Sequence, residues 1–297
     1  MTMNDWFFPR TRLAQEGWET VVGPQLEGWQ HTGLRVASLD GGTVELPAGD
    51  VERMVVPLGG AFQVVTPQRV FELGGRAGVF DGPTDVVYLG AGSAATITGS
   101  GRVAVAEAPT DQVLPDTHLP AAEVPVEIRG AGRSTRQVQN FGTPDGLAAA
   151  KLIVCEVITP AENWSSYPPH KHDEAGPAES RLEEIYYFEA APARGSTAPA
   201  GSDPFGLFAT YSSPAGAIDT AAMVRTGDVA LVPYGYHGPA AAAPGYDLYY
   251  LNVMAGPGAE RAWRISDDPA HAWIRSTWDE QELDPRLPYA PARRDHR

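Results

Sequence analysis

The chain has 297 residues, enough for one large domain or two ordinary ones with a buried core. Its 37 Asp and Glu against 22 Lys and Arg leave a net charge of -15, which repels phosphate backbones and anionic bilayers and so excludes nucleic acid and membrane surfaces as partners. The single cysteine, Cys155, excludes an intramolecular disulfide, and neither residues 1–10 nor any later run has the apolar length of a signal peptide or a membrane span, so a soluble cytoplasmic protein is expected.

With 32 Gly and 27 Pro and few stretches of helical period, the sequence reads as many short strands joined by turns. The first pair is a hairpin, residues 35–39 and 43–46 around the turn Asp40-Gly41-Gly42. Strands over 54–57, 62–65, 86–89, 95–98 and 102–105 follow at the spacing of a sandwich or barrel. Pro115, Pro120 and Pro125 then punctuate a linker over 114–126. Beyond it come more apolar strands, over 151–159, 185–188, 207–211, 229–232 and 246–254, with an exposed Ala/Pro/Gly/Ser-rich loop between Ala190 and Asp203. Arg76-Ala77-Gly78-Val79-Phe80 echoes Arg225-Thr226-Gly227-Asp228-Val229. The economical interpretation is a duplicated β-barrel, residues 1–125 and 126–297.

Chemistry concentrates in the second copy. His170-Lys171-His172 is a His-x-His pair, and residues two apart on a strand share a face, so both imidazoles can point at one centre. Glu184, at the head of Ile185-Tyr186-Tyr187-Phe188, can add an oxygen from a neighbouring strand, with Glu183 as its substitute. His237, after Pro233-Tyr234-Gly235-Tyr236, can add a third nitrogen. Three nitrogens and a carboxylate suit one divalent ion, zinc first, with manganese and iron as alternatives. The remaining histidines, His31, His118, His271 and His296, have no comparable partners, and no His-x-His precedes His170. The first barrel is therefore expected to bind no catalytic metal and instead to support assembly or shield the second.

The His-x-His, the later Glu, and Gly227, Pro233, Gly235 and His237 together resemble the two motifs of the cupins. The spacing from His172 to Glu184 exceeds the cupin norm, which implies an inserted loop over 173–182. The strings Asn163-Trp164-Ser165-Ser166-Tyr167-Pro168-Pro169-His170-Lys171-His172-Asp173, Leu182-Glu183-Glu184-Ile185-Tyr186-Tyr187-Phe188 and Gly245-Tyr246-Asp247-Leu248-Tyr249-Tyr250-Leu251-Asn252-Val253 resemble the 5-deoxy-glucuronate isomerases of myo-inositol catabolism. A sister family, the 4-deoxy-5-threo-hexosulose-uronate ketol-isomerases, is similar. The resemblance implies an all-β bicupin, two tandem double-stranded β-helix (jelly-roll) barrels. It also implies an aldose–ketose isomerase converting 5-deoxy-glucuronate to 5-dehydro-2-deoxy-gluconate through a metal-stabilised enediol.

Such a reaction needs a base for the proton alpha to the carbonyl. Glu156, on the strand before the motif, and Tyr186, on the face of Glu184, are the candidates. A uronate needs a local cation in so acidic a chain, and Lys171, Arg181, Arg133 and Arg136 are at hand. Arg181 stands first, since an Arg fork suits a carboxylate, and Lys171 second, since it alternates away from the metal. Trp164 and Tyr167 are expected to pack the barrel mouth. Two other readings share these residues: a metal-dependent cupin dioxygenase, and a non-catalytic sugar-sensing bicupin. Assembly as a homo-oligomer is compatible with all three.

Overall fold

The computed structural model describes residues 6–143 and 146–290; residues 1–5 and His296, named above, lie outside the described residues. The chain is almost wholly antiparallel sheet, 47% strand against 6% helix, and the helical part is short 3-10 segments, the longest Ala272–Glu280. Among the described residues no helix is long and apolar enough to cross a membrane. The architecture is the all-β bicupin implied by the sequence.

Three long strands, Gly33–Leu46, Val51–Val65 and Ala95–Pro109, carry the N-terminal barrel. The hairpin expected over 35–46 does not form. Gly33–Leu46 instead pairs with Ala95–Pro109 along its length, and the shift in register between Asp40 and Gly42, with Gly41 at φ 68, makes a bulge where a reversal was expected. Segments 54–57 and 62–65 are likewise two halves of Val51–Val65, bent at Gly59 and Gly60. A Cβ at Gly60, φ +94, would lie 1.9 Å from the Ser100 carbonyl oxygen, so the corner where these strands cross admits only glycine. The stretch read as a linker contains the short strand Thr117–Leu119 and the 3-10 turn Ala121–Glu123.

Two facing sheets build the second barrel. One runs, in spatial order, Phe7–Phe8, Val229–Val232, Glu183–Pro192, Tyr246–Ala255, Ile153–Thr159, Arg136–Gln139 and Val126–Arg129. The other runs Gly216–Val224, Gly206–Ser213, Tyr236–Ala242, His170–Lys171 and Ser266–Asp267. Phe7–Phe8 precedes the whole N-terminal barrel in sequence yet pairs with Ala230 and Val229, so this short strand straps onto the C-terminal barrel.

The first of these sheets is buried on both faces, and strand alternation sorts its side chains. Val154, Ile158, Ile185, Tyr187, Tyr249, Leu251 and Val253 face the N-terminal barrel and share a core with Met54, Val56, Tyr88 and Ala104. Cys155, Val157, Tyr186, Phe188, Tyr250 and Met254 face the interior of their own barrel. Each large apolar side chain so buried stabilises the fold by about 1.5–3 kcal/mol. The interior of the N-terminal barrel is filled with apolar groups, Val55, Phe62, Leu73, Val87, Leu89, Val103 and Val105 among them.

Candidate metal centre and its cavity

His170 lies directly opposite His237 across an antiparallel pair, and His172 follows two residues on. Glu184 reaches them from the facing sheet, where it is held between Val232 and Met254. The Glu184 Oε2 atom is 2.8 Å from His172 Nε2 and 3.0 Å from His237 Nε2, and all three residues are buried. The structure brings these three to one point within reach of a single ion. His170 stands next to them outside that group, its ring centroid 4.5 Å from that of His237 and 6.4 Å from that of His172.

The donor set fits a cation. Each imidazole turns Nδ1 toward a backbone carbonyl: His170 to Pro168 at 3.2 Å, His172 to Leu182 at 3.2 Å and His237 to Gly235 at 3.4 Å. With Nδ1 carrying the donated proton, Nε2 presents a lone pair to the centre, the tautomer that metal ligands adopt. Without a cation, lone pairs would then face the Glu184 carboxylate, and His237 Nε2, buried and 3.0 Å from Glu184 Oε2, makes no well-directed hydrogen bond among the described residues. Burial alone would raise the Glu184 pKa, but positive charge at this centre, here that of His237 and His172 in their protonated forms, pulls it well below the usual carboxylate range. Burial and His237 hold the His170 ring neutral, far below the ordinary histidine value.

A cavity of about 480 Å³ opens on this centre. His170, Glu184, Tyr186, Ser166, Tyr250 and Asn252 line its chemical end. Tyr186 shares the face of Glu184, as the two-residue spacing requires, and its hydroxyl is 3.0 Å from Ser166 Oγ, which is 3.1 Å from the Tyr250 hydroxyl. Burial and the neighbouring Glu184 carboxylate raise the Tyr186 pKa well above that of a free phenol.

Five other candidates lie elsewhere. Glu156 has the strand parity of Val154 and Ile158 and points into the seam between the barrels, where both its oxygens are taken by Arg76 and one also by Tyr249. It therefore does not reach the cavity. Lys171 turns away from the centre and is held by Asp173 at 2.7 Å and Glu179 at 2.9 Å. Arg181 is exposed and borders a separate hollow beside Lys151, Arg261 and Arg264. Glu183, the substitute ligand, faces the N-terminal barrel and accepts the backbone N–H groups of Gln30, His31 and Thr32. Arg133 pairs with Glu162 at the surface. Trp164 and Tyr167 meet edge to face at 5.5 Å, with Trp164 exposed.

The cations that do line the cavity are Arg129, Arg136 and Arg275, with Trp263 and Trp278 between them. Arg129 and Arg136 face each other on the two strands at the sheet's end, Val126–Arg129 and Arg136–Gln139, neither of which the apolar pattern reveals. Arg275 and Trp278 arrive on the 3-10 segment Ala272–Glu280 from the far end of the chain.

The KduI/IolB family model matches residues 7–274. A 5-deoxy-glucuronate isomerase of Geobacillus kaustophilus is 41% identical over 278 residues, 92% of this chain and 96% of that protein. An IolB-like protein of Salmonella typhimurium LT2, solved by crystallography, is 36% identical with a TM-score of 0.81, covering 91% of this chain and 99% of that one. An oxalate decarboxylase of Lactobacillus farciminis, 11% identical with a TM-score of 0.63 over 90% of this chain and 89% of that one, shares the fold.

Proposed function

We infer, for a chain that belongs to the KduI/IolB family, that the C-terminal cavity is the active site of an aldose–ketose isomerase whose substrate is 5-deoxy-glucuronate, the sugar acid in the names of its relatives. The product is 5-dehydro-2-deoxy-gluconate, and the step serves inositol catabolism. The observation that carries this reading is the convergence of His172, Glu184 and His237 beside the Tyr186 phenol, at a cavity with room for a small sugar acid.

Shifting a carbonyl to the adjacent carbon requires one C–H proton to leave and another to be delivered next door, with charge on two oxygens in between. We place a divalent ion on His172, Glu184 and His237, with His170 as the fourth ligand; zinc, manganese and iron all accept these donors. Bound there, the ion supplies Lewis-acid charge to the carbonyl and hydroxyl oxygens. Tyr186 is assigned the proton transfer at the reacting oxygens, while the C–H proton leaves to a separate base and returns from it to the adjacent carbon. Held neutral by burial and by Glu184, its phenol is an O–H donor beside the reacting oxygens, and the Ser166 hydroxyl, shared with Tyr250, fixes its direction. Val138, Val157 and Ile265 line the same space and keep water away from it.

We read residues 126–297 as the catalytic barrel and residues 1–125 as its support, since the first barrel fills its own interior with apolar side chains and backs the sheet that carries Glu184. The test is conversion without oxygen. Metal-replete protein given 5-deoxy-glucuronate under anaerobic conditions should form the ketose acid; a requirement for oxygen, or binding without turnover, would reject the reading.

A further inference from the structure

We propose that Arg136, which lines the same cavity from a strand three places across the sheet from that of Glu184, is the anchor for the substrate carboxylate. Among the cations lining the cavity it alone makes no close ion pair within the described residues, Glu127 acting on it from beyond contact distance. Arg129 is paired with Glu127 at 2.9 Å, and Arg275 is gripped by both oxygens of Asp267. Arg136 donates only to the Ser134 carbonyl, at 3.1 Å, yet is 7% exposed. A guanidinium taken out of water without a counter-charge is costly, and the cost is relieved when an anion arrives.

The setting is built for that arrival. Arg136 and Arg129 are directly opposite each other across an antiparallel pair, a placement that sets like charges together. The guanidinium lies over the Trp278 ring at 5.6 Å, and a Cβ at Gly130 would come within 2.8 Å of its Nη1, so it has little room to turn. Burial, with Arg129 and Arg275 adding to it and Tyr250 and Glu127 opposing it, pushes its pKa down to about 10, which leaves it charged at neutral pH. On the same lining, the Trp263 indole N–H is buried with no partner among the described residues, a second donor available to an anion. A forked guanidinium and a lone N–H on one lining suit the planar carboxylate of a sugar acid whose carbonyl end lies toward Glu184. That the anion belongs to the uronate rests on the isomerase reading; that the site takes a carboxylate does not.

The experiment compares wild-type protein with Arg136→Met and Arg136→Lys, each loaded with metal. Calorimetric titration with D-gluconate and with sorbitol, its neutral counterpart, reads the carboxylate directly, and steady-state kinetics on 5-deoxy-glucuronate read it in turnover. Wild type should prefer gluconate. Arg136→Met should erase the preference and raise KM for 5-deoxy-glucuronate by about 10- to 100-fold, as loss of a charge-assisted contact predicts, with metal content unchanged and kcat much less affected. Arg136→Lys, which keeps the charge without the fork, should retain part of the preference, and it carries the test if Arg136→Met does not fold. No gluconate preference in wild type, or a preference undiminished in both variants, would overturn the proposal. Failure of wild type to turn over 5-deoxy-glucuronate would count against the isomerase reading alone, since the gluconate comparison decides Arg136 independently.

Discussion

Arg76 and Glu156 lock the two barrels together: the guanidinium donates to both carboxylate oxygens, at 2.6 and 2.7 Å, with each side chain out of contact with solvent. Tyr249 adds a hydrogen bond of 2.7 Å to the same carboxylate. Removing one partner strands the other's charge in the seam, so Glu156→Ala should destabilise the protein by about 3–5 kcal/mol in denaturant titration. A double substitution to apolar residues, Arg76→Met with Glu156→Leu, should recover most of that loss. The kcat of the folded fraction of Glu156→Ala should stay near wild type; a fall of a hundredfold or more with stability unchanged would return Glu156 to the chemistry.

Tyr186→Phe should do the reverse. The ring packs against Phe208 and Tyr250, at centroid distances of 4.7 and 5.0 Å, and Phe keeps those contacts while removing only the hydroxyl. The expected outcome is a fall in kcat of about 10²- to 10⁴-fold, metal content and melting temperature nearly unchanged. A loss of less than tenfold would take the proton work away from Tyr186.

Metal should be bound and should stabilise the fold. About one divalent ion per chain is expected by elemental analysis of purified protein, and His172→Ala should abolish it. Because the ion binds only the assembled site, free metal at a hundredfold over its Kd should add about 2.7 kcal/mol to unfolding, seen as a rise in melting temperature that a chelator reverses. Equal occupancy in a His172→Ala/His237→Ala double variant would reject the centre.

The C-terminal segment should loosen in acid through Asp284. Its carboxylate is bonded by Arg286 and by Asn163 Nδ2 at 2.9 Å, and Arg286 holds its pKa well below the usual carboxylate range. A depressed pKa stabilises the folded state above the unfolded-state value, about pH 4, and that contribution disappears as pH falls through the folded-state value. Asp284→Asn should therefore be less stable than wild type at pH 7, and the gap should close below about pH 4. A gap that widens in acid would contradict the assignment.

The legible and illegible parts of the sequence differ for physical reasons. His172, Glu184 and Tyr186 could be placed together because the period of two is a local property, and Glu184 fixes the parity of its own strand. Glu156 could not be placed, because Ile153–Thr159 is buried on both faces and its apolar run shows no alternation; its parity is set only by the pairing of Cys155 with Asn252 and Val157 with Tyr250. The hairpin read at Asp40-Gly41-Gly42 is a bulge because a partner strand runs past both halves, a long-range fact that turn chemistry does not contain. Among the cations, Arg181 is nearest Glu184 in sequence and Arg136 far from it, yet the closing of Ala272–Glu280 over Arg136–Gln139 puts Arg136 on the cavity and leaves Arg181 outside.

The most direct measurement is proton NMR of the product made from 5-deoxy-glucuronate by metal-replete protein in deuterated water. A proton shuttled through an enediol exchanges with solvent, so deuterium should appear at the carbon that receives the proton, in full or in part according to how fast the base returns it. Tyr186→Phe should slow product formation and labelling together. Formation of the ketose acid at the wild-type rate with no solvent deuterium would contradict proton transfer in this cavity.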